Sequence, residues 1–198
     1  MSKAKSNVTA DFVLPIVVLV LICAIMSGLL AFTNGVTAPI IEKAEKAANT
    51  AARKEVMPLA DAAGDEDPFE EVKLEDLPEP AAANMPASIT GVYKATNSAG
   101  DVVGYTFSIT TQGYGGKGTL KMAVGIGSDG TITGTKVLSH KETAGLGSKI
   151  DTDAFRDQFL GKDANLDGVD NITGATFSSN YFRAAIADAY TAYGLVTG

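Results

Sequence analysis

Several hydroxyl side chains lie close together near the C-terminal end of the chain, in the stretch DNITGATFSSNY at residues 170–181. An amphipathic helix is predicted from about Asn180, because apolar residues recur at helical spacing after it. The unpaired N–H groups and the dipole at a helix start favour a phosphate group, which makes Thr176 a candidate for phosphate chemistry. Ser178 or Ser179 is predicted to be the N-cap of this helix, and the alternative for Thr176 is that it too is only a capping residue. The residues by themselves leave both interpretations open.

Three short motifs resemble those of a known family. Residues 170–176 (DNITGAT) resemble the D-x-x-[ST]-G-A-[ST] signature of covalently flavinylated FMN-binding domains. Residues 113–116 (GYGG) and 140–147 (HKETAGLG) resemble the family motifs G-Y-G-G and H-x-E-T-P-G-L-G, in the expected order. Ala144 stands where the family usually has proline, a change that removes no polar group. Three motifs in order make the resemblance specific.

The resemblance implies that FMN is attached to Thr176 through a phosphoester bond. It also implies that Glu142 and Thr143 hydrogen-bond the polar edge of the flavin ring or its ribityl chain, and that Leu146 packs on the ring. Glycine-rich segments let the backbone approach a flat ring closely, with simple turn glycines as the alternative. The cofactor-binding residues implied are Thr176, Asp170, Thr173, Gly174, Ala175, Tyr114, Gly115, Gly116, Glu142, Thr143, Gly145, Leu146 and Gly147.

Other kinds of site are not indicated by the residue pattern. The single histidine, His140, is predicted to make a structural hydrogen bond, with proton transfer as the alternative. No spacing of His, Cys and carboxylates indicates a metal or iron–sulfur site, and no Ser-His-Asp arrangement indicates a hydrolase. Residues 61–79 carry nine acidic residues and one lysine, which leaves the rest of the chain nearly neutral. A basic nucleic-acid-binding face is therefore not expected.

The N-terminal part is predicted to cross a membrane once. Residues 12–32 contain no charge, and as a helix they span roughly 31 Å, close to the hydrocarbon thickness of a bilayer. A transmembrane helix is predicted at 12–33, after a tail at 1–11 for which the family resemblance implies a cytoplasmic location. It is interpreted as an uncleaved anchor, because its apolar stretch is longer than that of a signal peptide. Lysines flank it evenly and leave its orientation open. A membrane-proximal helix is predicted at 34–57, with Pro39 in its first turn.

The rest of the chain is predicted to hold a linker and one α+β domain. Acidic and proline-rich composition predicts an extended linker at 58–88, as a solvated spacer or, alternatively, a docking site for a basic partner. Short alternating apolar runs predict a mainly antiparallel sheet with flanking helices at 89–198, and the resemblance implies that this is the FMN-binding domain. The predicted strands lie at 89–96, 103–109, 120–126 and 132–139, the last two joined by an Asp129-Gly130 turn. A short helix is predicted from about 151 to 160, closed by Gly161.

The whole-chain arrangement is similar to that of a second, more specific group. A single span followed by a T-x-P-x-I helix entry at 37–41 resembles the G subunit of Rnf complexes, which are ion-translocating ferredoxin:NAD oxidoreductases. The resemblance implies an electron-carrying subunit with covalent FMN and no complete catalytic activity of its own. It implies membrane and iron–sulfur subunits as partners, and a flavin transferase that uses FAD and Mg²⁺ during maturation. It places the subunit in the cell membrane with its flavin domain outside the cytoplasm.

Three alternatives remain at the level of sequence. One is the C subunit of a sodium-pumping NADH:quinone oxidoreductase, which is typically longer than the 198 residues found here. Another is a flavinylated domain that serves extracytoplasmic electron transfer outside any Rnf complex. The third belongs to a different class, a membrane-anchored sensory or scaffold domain without covalent flavin.

Overall fold

The computed structural model describes residues 13–61 and 67–198. The chain divides into two compact units, of which the second runs from Ala48 to Gly198, and each is described by itself. The predicted tail at 1–11 and residues 62–66 of the predicted linker lie outside the described residues. The helices and strands, in chain order, are α1 (Leu14–Val56), β1 (Phe69–Glu71), α2 (Ala81–Asn84), β2 (Ile89–Thr96), β3 (Val102–Gly113), β4 (Gly116–Gly127), β5 (Ile132–His140), α3 (Asp153–Arg156) and α4 (Thr176–Thr197).

The N-terminal helix α1 is long and apolar. Within the described residues it is the one helix long and apolar enough to cross a membrane, and its most apolar window is not buried by protein. The prediction of one N-terminal apolar helix is thus confirmed. The structure differs from the prediction of two helices meeting near 33–34, because α1 continues through Pro39. Pro39 removes only one backbone hydrogen bond, and the alanine-rich sequence after it favours continued helix.

The five strands form one antiparallel sheet in the order β1-β2-β3-β4-β5, which confirms the predicted α+β fold. The predicted turn between β4 and β5 is present, with Gly130 at φ +80° and the Gly127 N–H donating to the Thr131 carbonyl at 2.8 Å. Near the start of β4, Leu120 pairs with His140 at the end of β5. The β3–β4 turn and the end of β5 therefore lie at the same end of the sheet.

The strand β1 lies inside the segment predicted to be an extended linker. Phe69 pairs with Ala95 of β2 and is 7% exposed. The prediction of a solvated spacer is therefore wrong for these residues. The neighbouring Glu70 and Glu71 are exposed on the edge strand, where charge is tolerated and discourages pairing with another sheet. The linker was predicted from its acidic composition, and that composition gave no sign that Phe69 is buried.

Different helical segments cover the two faces of the sheet. On one face α4 packs over a core in which Phe107 and Phe182 are fully buried. On the other face lies the end of α1, where Val56 is also fully buried. Gly125 and Gly134 make room for this contact, because a Cβ at either position would collide with the Val56 backbone. The last residues of α1 are therefore part of the second unit.

Two predicted helices differ from the structure in their bounds. The helix predicted near 151–160 is broken into α3 and two flanking 3-10 turns, Gly147–Asp151 and Asp157–Phe159. The chain then turns at Gly161, which has a φ of +69°. The last helix, α4, begins at Thr176, one turn before the predicted start at Asn180.

Candidate cofactor-binding cleft

A cleft lies where the β3–β4 turn, the loop after β5 and the start of α4 meet. Its volume is about 220 Å³. All three sequence motifs contribute to it, although they are far apart in the chain. The residues that line it are Tyr114, Thr143, Leu146, Gly147, Gly174, Ala175, Thr176, Phe177 and Ser178.

Three large apolar side chains of the cleft are exposed to solvent. The exposed fractions are 64% for Tyr114, 48% for Leu146 and 68% for Phe177. Each comes from a different one of the three segments that form the cleft. Apolar side chains grouped around a concave site are typical of a binding site rather than of ordinary protein surface. This arrangement suits a flat, largely apolar ring such as that of a flavin.

Thr176 is the first residue of α4 and is exposed. Among the residues that the structure describes, no hydrogen bond involves its Oγ1. The first N–H groups of a helix have no partner within the helix, and they favour a phosphate group. Gly174, with a φ of +81°, makes the turn that precedes this helix start. A phosphate group on the Thr176 hydroxyl would therefore meet free space and a favourable dipole.

The serines that follow Thr176 are not N-caps, so that prediction is wrong. Ala175 occupies the N-cap position without a side-chain cap hydrogen bond. Ser178 and Ser179 lie in the first turn of α4 and are buried, at 3% and 0% exposure. Ser179 Oγ accepts a hydrogen bond from the Ile172 N–H at 3.0 Å and donates to the Ala175 carbonyl at 3.1 Å. Both serines are thus engaged within the fold, while Thr176 is not.

Glu142 is buried, at 8% exposure, and does not line the cleft. Its Oε1 accepts a hydrogen bond from the Tyr114 N–H at 2.8 Å, and its Oε2 accepts one from Ser178 Oγ at 2.5 Å. The sequence predicted that Glu142 would hydrogen-bond a flavin. In the structure each of the two carboxylate oxygens accepts a hydrogen bond from the protein, and the hydrogen bond to a flavin stays a prediction.

His140 makes the structural hydrogen bond predicted for it, since its Nδ1 accepts from the Glu142 N–H at 3.2 Å. Gly115 permits a close approach between the β3–β4 turn and the loop after β5, because a Cβ there would lie 2.9 Å from Lys141 Cβ. These contacts position the loop that carries Thr143 and Leu146.

The predicted site residues fall into two groups in the structure. Seven line the cleft: Tyr114, Thr143, Leu146, Gly147, Gly174, Ala175 and Thr176. Six lie outside its lining: Asp170, Thr173, Gly115, Gly116, Glu142 and Gly145. Asp170 and Thr173 are exposed in the loop before α4, where the Asp170 N–H donates to Gln158 Oε1 at 2.8 Å.

Two residues of the lining, Phe177 and Ser178, were not among the predicted cofactor-binding residues. Phe177 follows the flavinylation signature directly, and placing the helix start at Asn180 concealed its position on the first turn of α4. Ser178 was interpreted as a cap. A helix start placed at Thr176 would have brought both into the site.

Comparison with known proteins agrees with this geometry. Residues 113–191, a range that includes all three motifs, match the FMN-binding domain family. The chain is 35% identical over 186 residues to the G subunit of the Na⁺-translocating ferredoxin:NAD⁺ oxidoreductase complex of Acetobacterium woodii, covering 91% of this chain and 84% of that protein. The chain belongs to this family of G subunits. The predicted family resemblance is thereby confirmed.

Further relatives extend the comparison. The G subunit of the ion-translocating oxidoreductase complex of Methanosarcina acetivorans is 34% identical over 182 residues, covering 88% of each chain. The corresponding protein of Cereibacter sphaeroides is 43% identical over 77 residues, covering 39% of this chain and 30% of that protein. The first two matches extend over most of the chain.

Proposed function

We propose that this protein is an electron-carrying flavoprotein subunit of an Rnf-like, membrane-bound, ion-translocating ferredoxin:NAD oxidoreductase, with FMN attached to Thr176 through a phosphoester bond. The assignment of the attachment site rests on one observation, the position of the Thr176 hydroxyl. It is exposed at the start of α4, beside a cleft with an apolar rim. The family relationship supports the place in a complex.

The residues of the cleft fit the two chemically different parts of FMN. The helix start suits the phosphate, because its N–H groups and dipole favour negative charge. The exposed faces of Tyr114, Leu146 and Phe177 suit the ring. A tie through the phosphate alone leaves the ring free to find these side chains.

Attachment requires a donor and a transferase, as the family resemblance implies. The Thr176 oxygen forms a bond to the phosphorus of the FMN half of FAD, and the P–O bond to the AMP half breaks. AMP leaves and takes the bridging oxygen, and the hydroxyl proton is released. The flavin transferase supplies the catalytic groups and Mg²⁺, so this chain contributes only an accessible hydroxyl and a backbone that accommodates the product.

When bound, FMN supplies the redox chemistry of the subunit. This chain's residues would hold the phosphate at the start of α4 and present apolar side chains to the ring. Substrate oxidation takes place on other subunits of the complex, among them membrane and iron–sulfur subunits. The membrane helix anchors the protein, and the flavin domain lies outside the cytoplasm, where the transferase acts.

The attachment is tested by intact-protein mass after coexpression of the full-length chain with a flavin transferase. The wild-type chain is expected to gain the mass of FMN less one water, and Thr176→Ala is expected to gain nothing. Thr176→Ser retains a hydroxyl and is expected to be modified. Thr191→Ala is the matched control, since it removes an exposed hydroxyl of the same helix outside the signature and the cleft, and it should leave the modification intact. Modification of Thr176→Ala would contradict the assignment of the site.

Membership of a complex requires a separate test. A tagged copy of this chain in its native membrane is expected to copurify with membrane and iron–sulfur subunits after mild solubilisation. Colourless protein after denaturing purification from its native membrane would favour the sensory or scaffold alternative. A covalently yellow chain without such subunits would instead indicate electron transfer outside an Rnf complex.

The side of the membrane on which the flavin domain lies is tested by adding protease to cells whose outer envelope layers have been removed and whose cytoplasmic membrane is intact. Cleavage within the domain is expected without lysis. Protection until lysis would place the domain in the cytoplasm and contradict this part of the proposal.

A further inference from the structure

Glu142 is a buried carboxylate whose partners are uncharged. Within the described part of the chain, it takes part in no salt bridge. Instead its two oxygens accept hydrogen bonds from the Tyr114 N–H and from Ser178 Oγ. Burying a carboxylate is costly unless hydrogen bonds satisfy it. The fold tolerates this cost at a position next to the cleft but outside its lining.

The two partners of Glu142 belong to two different segments that line the cleft. Tyr114 lies in the β3–β4 turn and presents its ring to the cleft. Ser178 lies in the first turn of α4, two residues after Thr176. One carboxylate therefore ties the turn that carries an aromatic side chain to the helix that carries the attachment hydroxyl.

Two motif glycines make the space that this carboxylate occupies. A Cβ at Gly113 would lie 2.5 Å from Glu142 Oε1, and a Cβ at Gly147 would lie 2.5 Å from both Glu142 Oε2 and Ser178 Oγ. Real Cβ atoms essentially never come so close to such neighbours. These glycines thus admit the Glu142 side chain and its hydrogen bonds, a role separate from any contact with a flavin.

We propose that Glu142 is the positioning residue of the cleft: its carboxylate fixes the spacing between the Tyr114 ring and the Thr176 hydroxyl, and Gly113 and Gly147 serve to admit it. The ligand in this proposal is FMN and so rests on the proposed function. The hydrogen-bonded bridge itself is a property of the protein without flavin.

The bridge is tested first without flavin, in the full-length chain in detergent, by amide hydrogen exchange of peptides that contain Tyr114. Glu142→Ala is expected to raise exchange at the Tyr114 N–H about tenfold, the effect of losing a hydrogen bond to a charged group. Glu142→Gln keeps an acceptor for this N–H and a donor for Ser178 Oγ, so its exchange should stay near that of the wild type. Glu71→Ala removes an exposed glutamate from β1 and is the matched control, with no expected change.

The second test measures exposure of the ring on the flavinylated chain. Glu142→Ala is expected to gain the mass of FMN less one water, because Thr176 remains exposed, while iodide quenches the flavin fluorescence several-fold more strongly than in the wild type. Glu142→Gln should restore the wild-type quenching. Ser178→Ala removes only one of the two hydrogen bonds, and it gives the same comparison if Glu142→Ala does not fold. Gly147→Ala places a methyl group against Glu142 Oε2 and Ser178 Oγ, so it should also increase quenching.

Wild-type exchange at Tyr114 in Glu142→Ala would overturn the proposal, as would wild-type quenching in both Glu142→Ala and Ser178→Ala. Glu142→Gln behaving like Glu142→Ala would also overturn it, because charge and not the bridge would then be responsible. A wild-type chain that acquires no covalent flavin would refute the proposed function alone. The exchange measurement would still decide the role of Glu142.

Discussion

The two ends of α4 use their hydroxyl side chains differently. Near the C-terminal end, the Tyr190 hydroxyl lies 3.0 Å from the Gly130 carbonyl oxygen and 2.9 Å from that of Lys162. These contacts hold the helix against the β4–β5 turn and the segment after α3. At the N-terminal end, the Thr176 hydroxyl is exposed beside the cleft. The Tyr190 hydroxyl is hydrogen-bonded within the fold, whereas the Thr176 hydroxyl is accessible to solvent.

The aromatic side chains of α4 show the same difference. Phe182 is fully buried, and its ring lies 5.2 Å from that of Phe155 and 5.0 Å from that of Phe159. Phe177, on the first turn, is 68% exposed. A single helix therefore contributes to the core along most of its length, and in the proposed function it binds the cofactor at its start. Phe182 and Phe177 are the same residue type, so only their burial distinguishes the core residue from the residue that lines the cleft.

The largest expected effect compares the two phenylalanines. Phe182→Ala should lower the free energy of unfolding by about 3–5 kcal/mol, because it removes a buried ring and leaves a cavity. Phe177→Ala should change it by less than about 0.5 kcal/mol, as expected for an exposed side chain. Urea unfolding of the flavin-free chain measures both. Equal losses would show that the start of α4 is not a separate functional region.

A second comparison uses the hydroxyls of the first turn. Ser178→Ala should lower the free energy of unfolding by about 1–3 kcal/mol, because Glu142 Oε2 loses its hydrogen-bond donor while remaining buried. Thr176→Ala should cost less than about 0.5 kcal/mol in the flavin-free chain. The same unfolding measurement distinguishes them. A large loss in Thr176→Ala would mean that this hydroxyl has a structural role as well.

We expect the Tyr190 hydroxyl to make the stability of the protein depend on pH. Burial, followed by the charges of Asp163 and Asp129, raises the pKa of Tyr190 from 10.0 to about 12. Because the folded pKa lies above the unfolded one, this contribution is fully present below pH 10 and is lost as the pH rises to about 12. Unfolding midpoints measured from pH 9 to about 12 should fall for the wild type and fall less for Tyr190→Phe. Equal slopes would exclude Tyr190 as the cause.

The smallest expected effect lies at an exposed glycine near the C-terminal end. A Cβ at Gly194 would meet no atom within 4 Å. Gly194→Ala should therefore raise the free energy of unfolding by up to about 1 kcal/mol through helix propensity. Thermal unfolding can detect this change. A loss of stability would show that an added methyl group at Gly194 is not tolerated, although the residue is exposed.

The outcome of the sequence predictions has physical reasons in particular residues. Alternating apolar residues located β2 to β5, although β3 and β4 extend beyond the predicted bounds, because large apolar side chains point to the face covered by α4 and recur at every second residue. The strand β1 was missed because acidic neighbours surrounded Phe69, and only its pairing with Ala95 reveals its burial. The start of α4 was missed because a serine near a helix start can cap the backbone or bind a distant side chain. Local sequence does not distinguish these two uses.

Residue types at short spacing were sufficient to identify the family, the apolar N-terminal helix and the residues of the three motifs. Only the tertiary structure decided how the motifs work together. It brought Tyr114, Leu146 and Phe177 around one cleft and directed Glu142 to Tyr114 and Ser178. Ser178 and Glu142 lie 36 residues apart in the chain. A hydrogen bond over that separation depends on the packing of whole elements, and no local pattern encodes it.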